Sequence, residues 1–254
     1  MAGQQHTTAP RQVVDHGPVR RGRTSRATLI GASSAVILTL TGCGDSVPSG
    51  PMNAEELEST LITGRDVPEG WNLVNGPTGR DAGGEPLTDQ VSAGFIASMV
   101  AEAERDGDSE DCQEAAEDLT SDIEDIELSY EAEAEYEMSG DGESWFSAVA
   151  FSSTEDYDVA GGLLDVWETC AEQLIDETEE ASDWELDDLD GDMDGIYVVS
   201  DEAQMTGLSV VAGQSYGQNH LVVIGGTEDP RNEDTIHELT DALKEHFEEG
   251  PEGD

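Results

Sequence analysis

Ile126-Glu127-Leu128-Ser129-Tyr130-Glu131-Ala132-Glu133-Ala134-Glu135-Tyr136-Glu137-Met138 alternates apolar and polar residues without a break. Successive side chains of a strand point to opposite faces, so this period predicts a strand with one face on a core and a row of glutamates in water. Gly140-Asp141-Gly142 follows as a hairpin signal, and 144–152 returns. Further strands are predicted over 184–186, 196–200, 206–216 and 220–225, with Gly217-Gln218-Asn219 turning between the last two. Strands that are neighbours in sequence and joined by tight turns pair antiparallel.

Helical periods lie on either side of these strands. Asn53 caps a helix to about Ile62, with Glu56 three positions on in capping-box fashion and Gly64 past its end. Trp71-Asn72-Leu73-Val74 reads as a short strand, and the Gly/Pro-rich stretch 76–86 as a loop. Residues 88–105 carry Val91, Phe95 and Met99 along one helical stripe, and a short helix is predicted over 112–119. Thr154 caps a helix to about Glu177, with Tyr157, Ala160, Leu164, Trp167, Ala171 and Leu174 at spacings of three or four. A last helix over 232–248 turns Ile236, Leu239, Leu243 and Phe247 inward. Helices falling between groups of strands give an α+β fold, an antiparallel sheet packed with helices in a single domain over 53–248. Residues 249–254 form an acidic tail.

The N-terminus has a different logic. Arg11, Arg20, Arg21, Arg23 and Arg26 precede an uncharged apolar run from Ala27 to Gly42. Basic, then apolar, then small residues at a cut site is the layout of an export signal, and the run is short of the ~20 residues a membrane-spanning helix needs. Its end, Leu40-Thr41-Gly42-Cys43, resembles the lipobox of bacterial lipoproteins. That resemblance implies a diacylglycerol on the Cys43 sulfur and cleavage just before it, with 1–42 removed as a signal peptide and 43–52 left as a lipidated cysteine and short tether. The expected partner is then the outer face of the cell membrane, reached through the lipid on Cys43; the alternative is an ordinary secretory signal or an N-terminal anchor helix with a chance cysteine. Arg20-Arg21 leaves the export route open between the general and twin-arginine systems.

Charge divides at the same point. Residues 1–42 hold five of the ten Lys/Arg and one of the 59 Asp/Glu, so the remaining 212 residues carry 58 acidic against five basic side chains, net −53. Such a surface repels phosphate, which excludes nucleic acid as a partner, and it disfavours anionic lipid heads. The carboxylates are spread along the chain rather than blocked into one tail, as in a protein kept soluble in salty surroundings. With Cys43 assigned to the anchor, Cys112 and Cys170 remain. An even pair in an exported chain predicts a disulfide, with two unpaired thiols as the alternative.

Four pieces carry a family resemblance. They are Leu61-Ile62-Thr63-Gly64-Arg65-Asp66-Val67-Pro68-Glu69-Gly70-Trp71, then Val166-Trp167-Glu168-Thr169-Cys170-Ala171, then Asp190-Gly191-Asp192-Met193-Asp194-Gly195 before a strand, and the closing hairpin and helix. In this order they resemble the extracellular sensor domain of actinobacterial serine/threonine kinases and its free-standing lipoprotein relatives. The resemblance implies an α+β domain outside the membrane with a helix-and-sheet cleft that binds an unidentified ligand. Two departures stand beside it: the chain shows no kinase domain or spanning helix, and it has one cysteine pair where those sensor domains tend to have two.

Candidate sites are few. Asp190, Asp192 and Asp194, with Gly195 sixth, have the alternate spacing of an EF-hand calcium loop, but Tyr197 and Asp201 stand where a small aliphatic and a glutamate belong. An acidic turn entering a strand is the expectation. Gly213-Gln214-Ser215-Tyr216-Gly217 matches the G-x-S-x-G nucleophile elbow, yet a strand follows it where that chemistry needs a helix. His220, His237 and His246 have no metal-ligand spacing. Trp71, Trp145, Trp167 and Trp184 are read as core residues. No catalytic residue, metal or cofactor is expected, and the functional expectation is a membrane-anchored, ligand-binding module, with a structural or protein-interaction lipoprotein as the alternative.

Overall fold

The computed structural model describes residues 48, 50–88, 110–139, 144–177, 185–189, 193–202, 205–227, 229 and 232–251. The leader, Cys43, nearly all of the predicted helix over 88–105, the Gly140–Gly142 turn, Trp184, Asp190 and Asp192 lie outside them. The elements run α1 (Ala54–Ser59), β1 (Trp71–Pro86), α2 (Glu110–Ile123), β2 (Glu127–Met138), β3 (Trp145–Ser153), α3 (Val159–Glu177), β4 (Glu185–Asp188), β5 (Asp194–Glu202), β6 (Met205–Tyr216), β7 (Asn219–Thr227) and α4 (Glu233–Glu249).

The fold is α+β, as expected: the strands form one seven-stranded sheet in the order β1-β2-β3-β7-β6-β5-β4, antiparallel at every pairing. After β3 the chain crosses by α3 to the far edge, then meanders back until β7 closes against β3. Helices pack on both faces of the sheet, on the second over only part of it. Phe146, Ala148, Ala150, Leu221 and Val223 pack with Leu57 of α1 and with Ile236, Leu239, Leu243 and Phe247 of α4. Phe151 and Val222 point the other way, onto Cys112, Ala116 and Leu119 of α2 and Val159, Leu163 and Val166 of α3.

The alternating stretch forms β2, with Ala132, Ala134, Tyr136 and Met138 inward, but its apolar residues do not all share one face. Two β2 residues oppose one of β3 between Leu128 and Tyr130. That bulge flips the register, sending Ile126 and Leu128 into the α2/α3 core. The capping box of α1 is as expected: Asn53 Oδ1 accepts from Glu55 N at 3.0 Å and Glu56 N at 3.1 Å, and Glu56 Oε2 accepts from Asn53 N at 2.8 Å.

Three other expectations need correction. The Gly/Pro stretch 76–86 is strand: β1 continues to Pro86 as a sheet edge, with three register shifts against β2. An edge strand has one unpaired side, so it tolerates Pro and Gly that a central strand excludes. α3 begins at Val159 rather than after Thr154. Asp158 Oδ1 accepts from Gly161 N at 3.0 Å as its cap, while Thr154 Oγ1 accepts from Glu127 N at 3.1 Å and closes the start of β2. Finally, the part of the tether from Pro48 to Met52 is bonded to the sheet, with Met52 buried.

Cys112 and Cys170 are bonded, with their Sγ atoms 2.04 Å apart. The bridge joins α2 to α3 and leaves both cysteines buried in the core between those helices and the sheet.

Candidate functional site

A groove of about 720 Å³ opens where α1, the edge of β1 and the C-terminal end of α4 meet. Ala54, Glu55, Glu58 and Ser59 of α1 form one wall, Pro77 and Gly79 of β1 the other, and His246 of α4 closes an end. Leu61 contributes a buried apolar floor, and Thr63 and Asp66 complete the lining. Gly79 is required here, because a Cβ at that position would overlap the carbonyl oxygen of Ala54. Its N–H donates to Glu58 Oε2 at 3.3 Å, which ties the strand to the helix across the groove. His246 Nδ1 lies 3.8 Å from Glu249 Oε2. Three carboxylates, two hydroxyls and an imidazole around an apolar floor suit a small ligand with a positively charged, hydrogen-bonding head.

A second polar constellation lies inside the sheet. Ser215 of β6 and His220 of β7 are direct cross-strand partners, and their Oγ and Nδ1 atoms are 2.9 Å apart. Ala160 N donates to Ser215 Oγ at 3.1 Å, so the serine hydroxyl is free to donate to Nδ1. The remaining Nε2–H then donates to Ser153 Oγ at 2.9 Å, and Ser153 donates on to the carbonyl of Glu155 at 2.7 Å. Every hydrogen in this chain has an acceptor. His220 is fully buried and stacked 4.9 Å from the ring of Phe151, and burial pushes its pKa down to about 4 while Asp158 pulls weakly the other way. The third member beyond the imidazole is a hydroxyl rather than a carboxylate. Ser215 occupies a hairpin and not the strand-to-helix turn of a nucleophile elbow.

The other predicted residues are scattered. Asp194 opens β5 as an exposed residue. Among the described residues no group of three or more His, Cys, Asp or Glu is placed to hold a metal ion. His237 lies 3.6 Å from Glu233 on the same helix, away from His220. Trp71 is core, edge-on to Phe146 at 5.0 Å, with Nε1 donating to the carbonyl of Thr235 at 3.0 Å. Trp167 packs half-buried beside Leu164, Ile196 and Val211. Trp145 departs from the expectation: it is 57% exposed. Phe146 takes the core position on the α1/α4 side, so its neighbour faces the opposite side, at the strand end beyond Phe151 and the helices that cover it. The sequence did not single out the groove residues: Leu61, Thr63 and Asp66 lie in the first family-like stretch and Glu55 and Glu58 follow the Asn53 cap, but only the fold brings them to Pro77, Gly79 and His246.

Among the described residues no helix is long and apolar enough to cross a membrane. No family model matches the chain, and no curated protein matches it. The fold is similar to the crystal structure of the extracellular domain of PknH from Mycobacterium tuberculosis, at 12% sequence identity and a TM-score of 0.39, over 79% of this chain and 99% of that one.

Proposed function

We propose that this chain is an exported lipoprotein, anchored through Cys43 on the outer face of the membrane, that acts as a sensor-like binding module without a catalytic reaction. The observation that carries the reading is the groove between α1, β1 and α4, a helix-and-sheet cleft of small-molecule size lined by Glu55, Glu58, Asp66 and His246. Its carboxylates favour a ligand bearing an amine or guanidinium. The basic-then-apolar leader ending at Cys43 supports the placement. The non-enzymatic part is supported by the Ser215–His220 pair, whose hydrogens are all committed and whose imidazole is a weak base.

The test is mass spectrometry of what co-purifies with residues 44–254 exported from the native host, beside a Glu58→Lys variant and an unrelated exported control. A molecule bound to the wild type and lost from the variant is the expected result. A wild type that carries nothing and shows no groove-confined amide shifts with amine ligands overturns the reading. One observation favours the alternative, a protein-interaction lipoprotein: Trp145 stands exposed on a sheet face beside Glu135 and Glu137 of β2, and exposed aromatics are the common anchors of interfaces. Its test is cross-linking on cells from position 145, with recovery of a defined partner protein.

A further inference from the structure

Asn219 opens β7 and is fully buried, and its amide is committed at both ends. Oδ1 accepts from Met52 N at 2.9 Å and from Ser152 Oγ at 2.7 Å. Nδ2 donates to the carbonyls of Pro48 and Gly50, both at 2.9 Å. Three of these four bonds run to the segment just before α1, and the side chain of Met52 is sunk into the core beside Leu57 and Leu61. The chain entering the domain is therefore pinned, backbone atom by backbone atom, to one end of the sheet. That end also holds the Gly217-Gln218 turn and the last residues of β3, where Ser153 N donates to the carbonyl of Gln218 at 2.8 Å. Trp145 lies at the other end of β3, paired with Gly226.

We infer that the sheet end carrying the β6–β7 turn faces the lipid surface, that the Trp145 end faces outward, and that Asn219 fixes this orientation. The inference rests on the reading of Cys43 as the lipidated residue. Pro48 lies five positions after Cys43, so even a fully extended chain reaches at most about 18 Å. The span of β3 is larger, about 30 Å at about 3.4 Å per residue, so the Trp145 end lies beyond that reach. Charge alone gives no such orientation. Glu127, Glu155, Asp156 and Asp158 are exposed near the pinned end, and an anionic leaflet would repel them. A free tether would let the domain turn this end away; three bonds to one buried amide remove that freedom.

The test uses the full chain processed by its host, with a photoreactive residue at exposed Glu155 or at Trp145, followed by mass spectrometry for lipid adducts. The modification of Cys43 is read in the same samples. Lipid capture from position 155 several-fold above that from position 145 is expected. Asn219→Ala should lower the ratio. An insertion of about 30 Gly/Ser residues between Gly44 and Asp45 adds about 30 Å of r.m.s. reach without touching the core, and should bring the ratio toward one. Equal or reversed capture on a chain lipidated at Cys43 overturns the orientation and leaves the anchor standing. A ratio that survives the insertion overturns the part assigned to the short pinned tether, and an unmodified Cys43 overturns anchor and orientation together.

Discussion

The imidazole of His220 is held neutral inside the sheet, and that makes one residue a source of pH dependence. Burial lowers its pKa to about 4, against about 6.5 in the unfolded chain. Between those values the unfolded state binds more protons, so stability rises with pH across the window. The contribution is fully present above about pH 6.5 and is lost as pH falls through about 4, amounting to about 3 kcal/mol. Urea unfolding of the wild type and of His220→Asn at pH 7 and pH 4.5 checks this. The wild type should lose more stability than the variant, and parallel losses would show that the site does not titrate as described. Carboxylate protonation acts on both proteins and cancels in the comparison. Ser215 and His220 were each visible as candidate residues in the sequence, and the Gly217-Gln218-Asn219 turn brings them opposite one another. Ser153 was not visible as their partner, because it lies 67 residues from His220 and reaches it only through the β3–β7 pairing.

Elements were legible where a local period decided them. The capping box of α1 and the alternation of β2 depend on neighbours within a few residues, and both are found. β1 was half-missed because its Gly and Pro residues are loop formers by propensity, and only the long β2 strand beside them supplies the hydrogen bonds that make them an edge. The start of α3 was placed too early because Thr154 and Asp158 are both good caps; pairing with Glu127 of β2 took Thr154 away. The cysteine pair was legible from number and compartment alone, and the structure adds what it holds: α2 against α3, across a separation of 58 residues. Closing a loop of that length stabilises by about 4 kcal/mol in the chain-entropy model. Replacing Cys112 and Cys170 together with alanine should therefore shift the urea midpoint far down, with a somewhat steeper slope as the unfolded chain opens. A variant within about 1 kcal/mol of the wild type would mean that α2–α3 packing alone holds the layer.

At the scale of the molecule, the antiparallel α+β class followed from hairpins and intervening helices, but burial on both faces did not. Its signal was the unbroken apolar run Leu221-Val222-Val223-Ile224, which a strand with one wet face does not need. The charge explains why that second buried face matters. With 58 acidic and five basic side chains after residue 42, the folded state concentrates a net −53 that the unfolded chain spreads out. Attraction offsets little of it. Among the described residues Arg80 meets Glu131 and Glu85, and Lys244 lies 3.6 Å from Glu248; each pair has at least one partner open to solvent, where an ion pair contributes about 1 kcal/mol or less. Glu131, Glu133, Glu135 and Glu137 line one face of β2 at every second residue, so like charges repeat at about 7 Å. The Debye length falls from about 10 Å at 0.1 M salt to about 3 Å at 1 M, which brings it below that spacing. The melting temperature should therefore climb with NaCl from low to molar concentration. Replacing Glu133, Glu135 and Glu137 by glutamine should raise it at low salt and flatten the climb. If both proteins melt at temperatures that do not move with salt, self-repulsion is not what limits this fold. If the triple variant keeps the full slope, the repulsion that matters lies elsewhere on the surface than along β2.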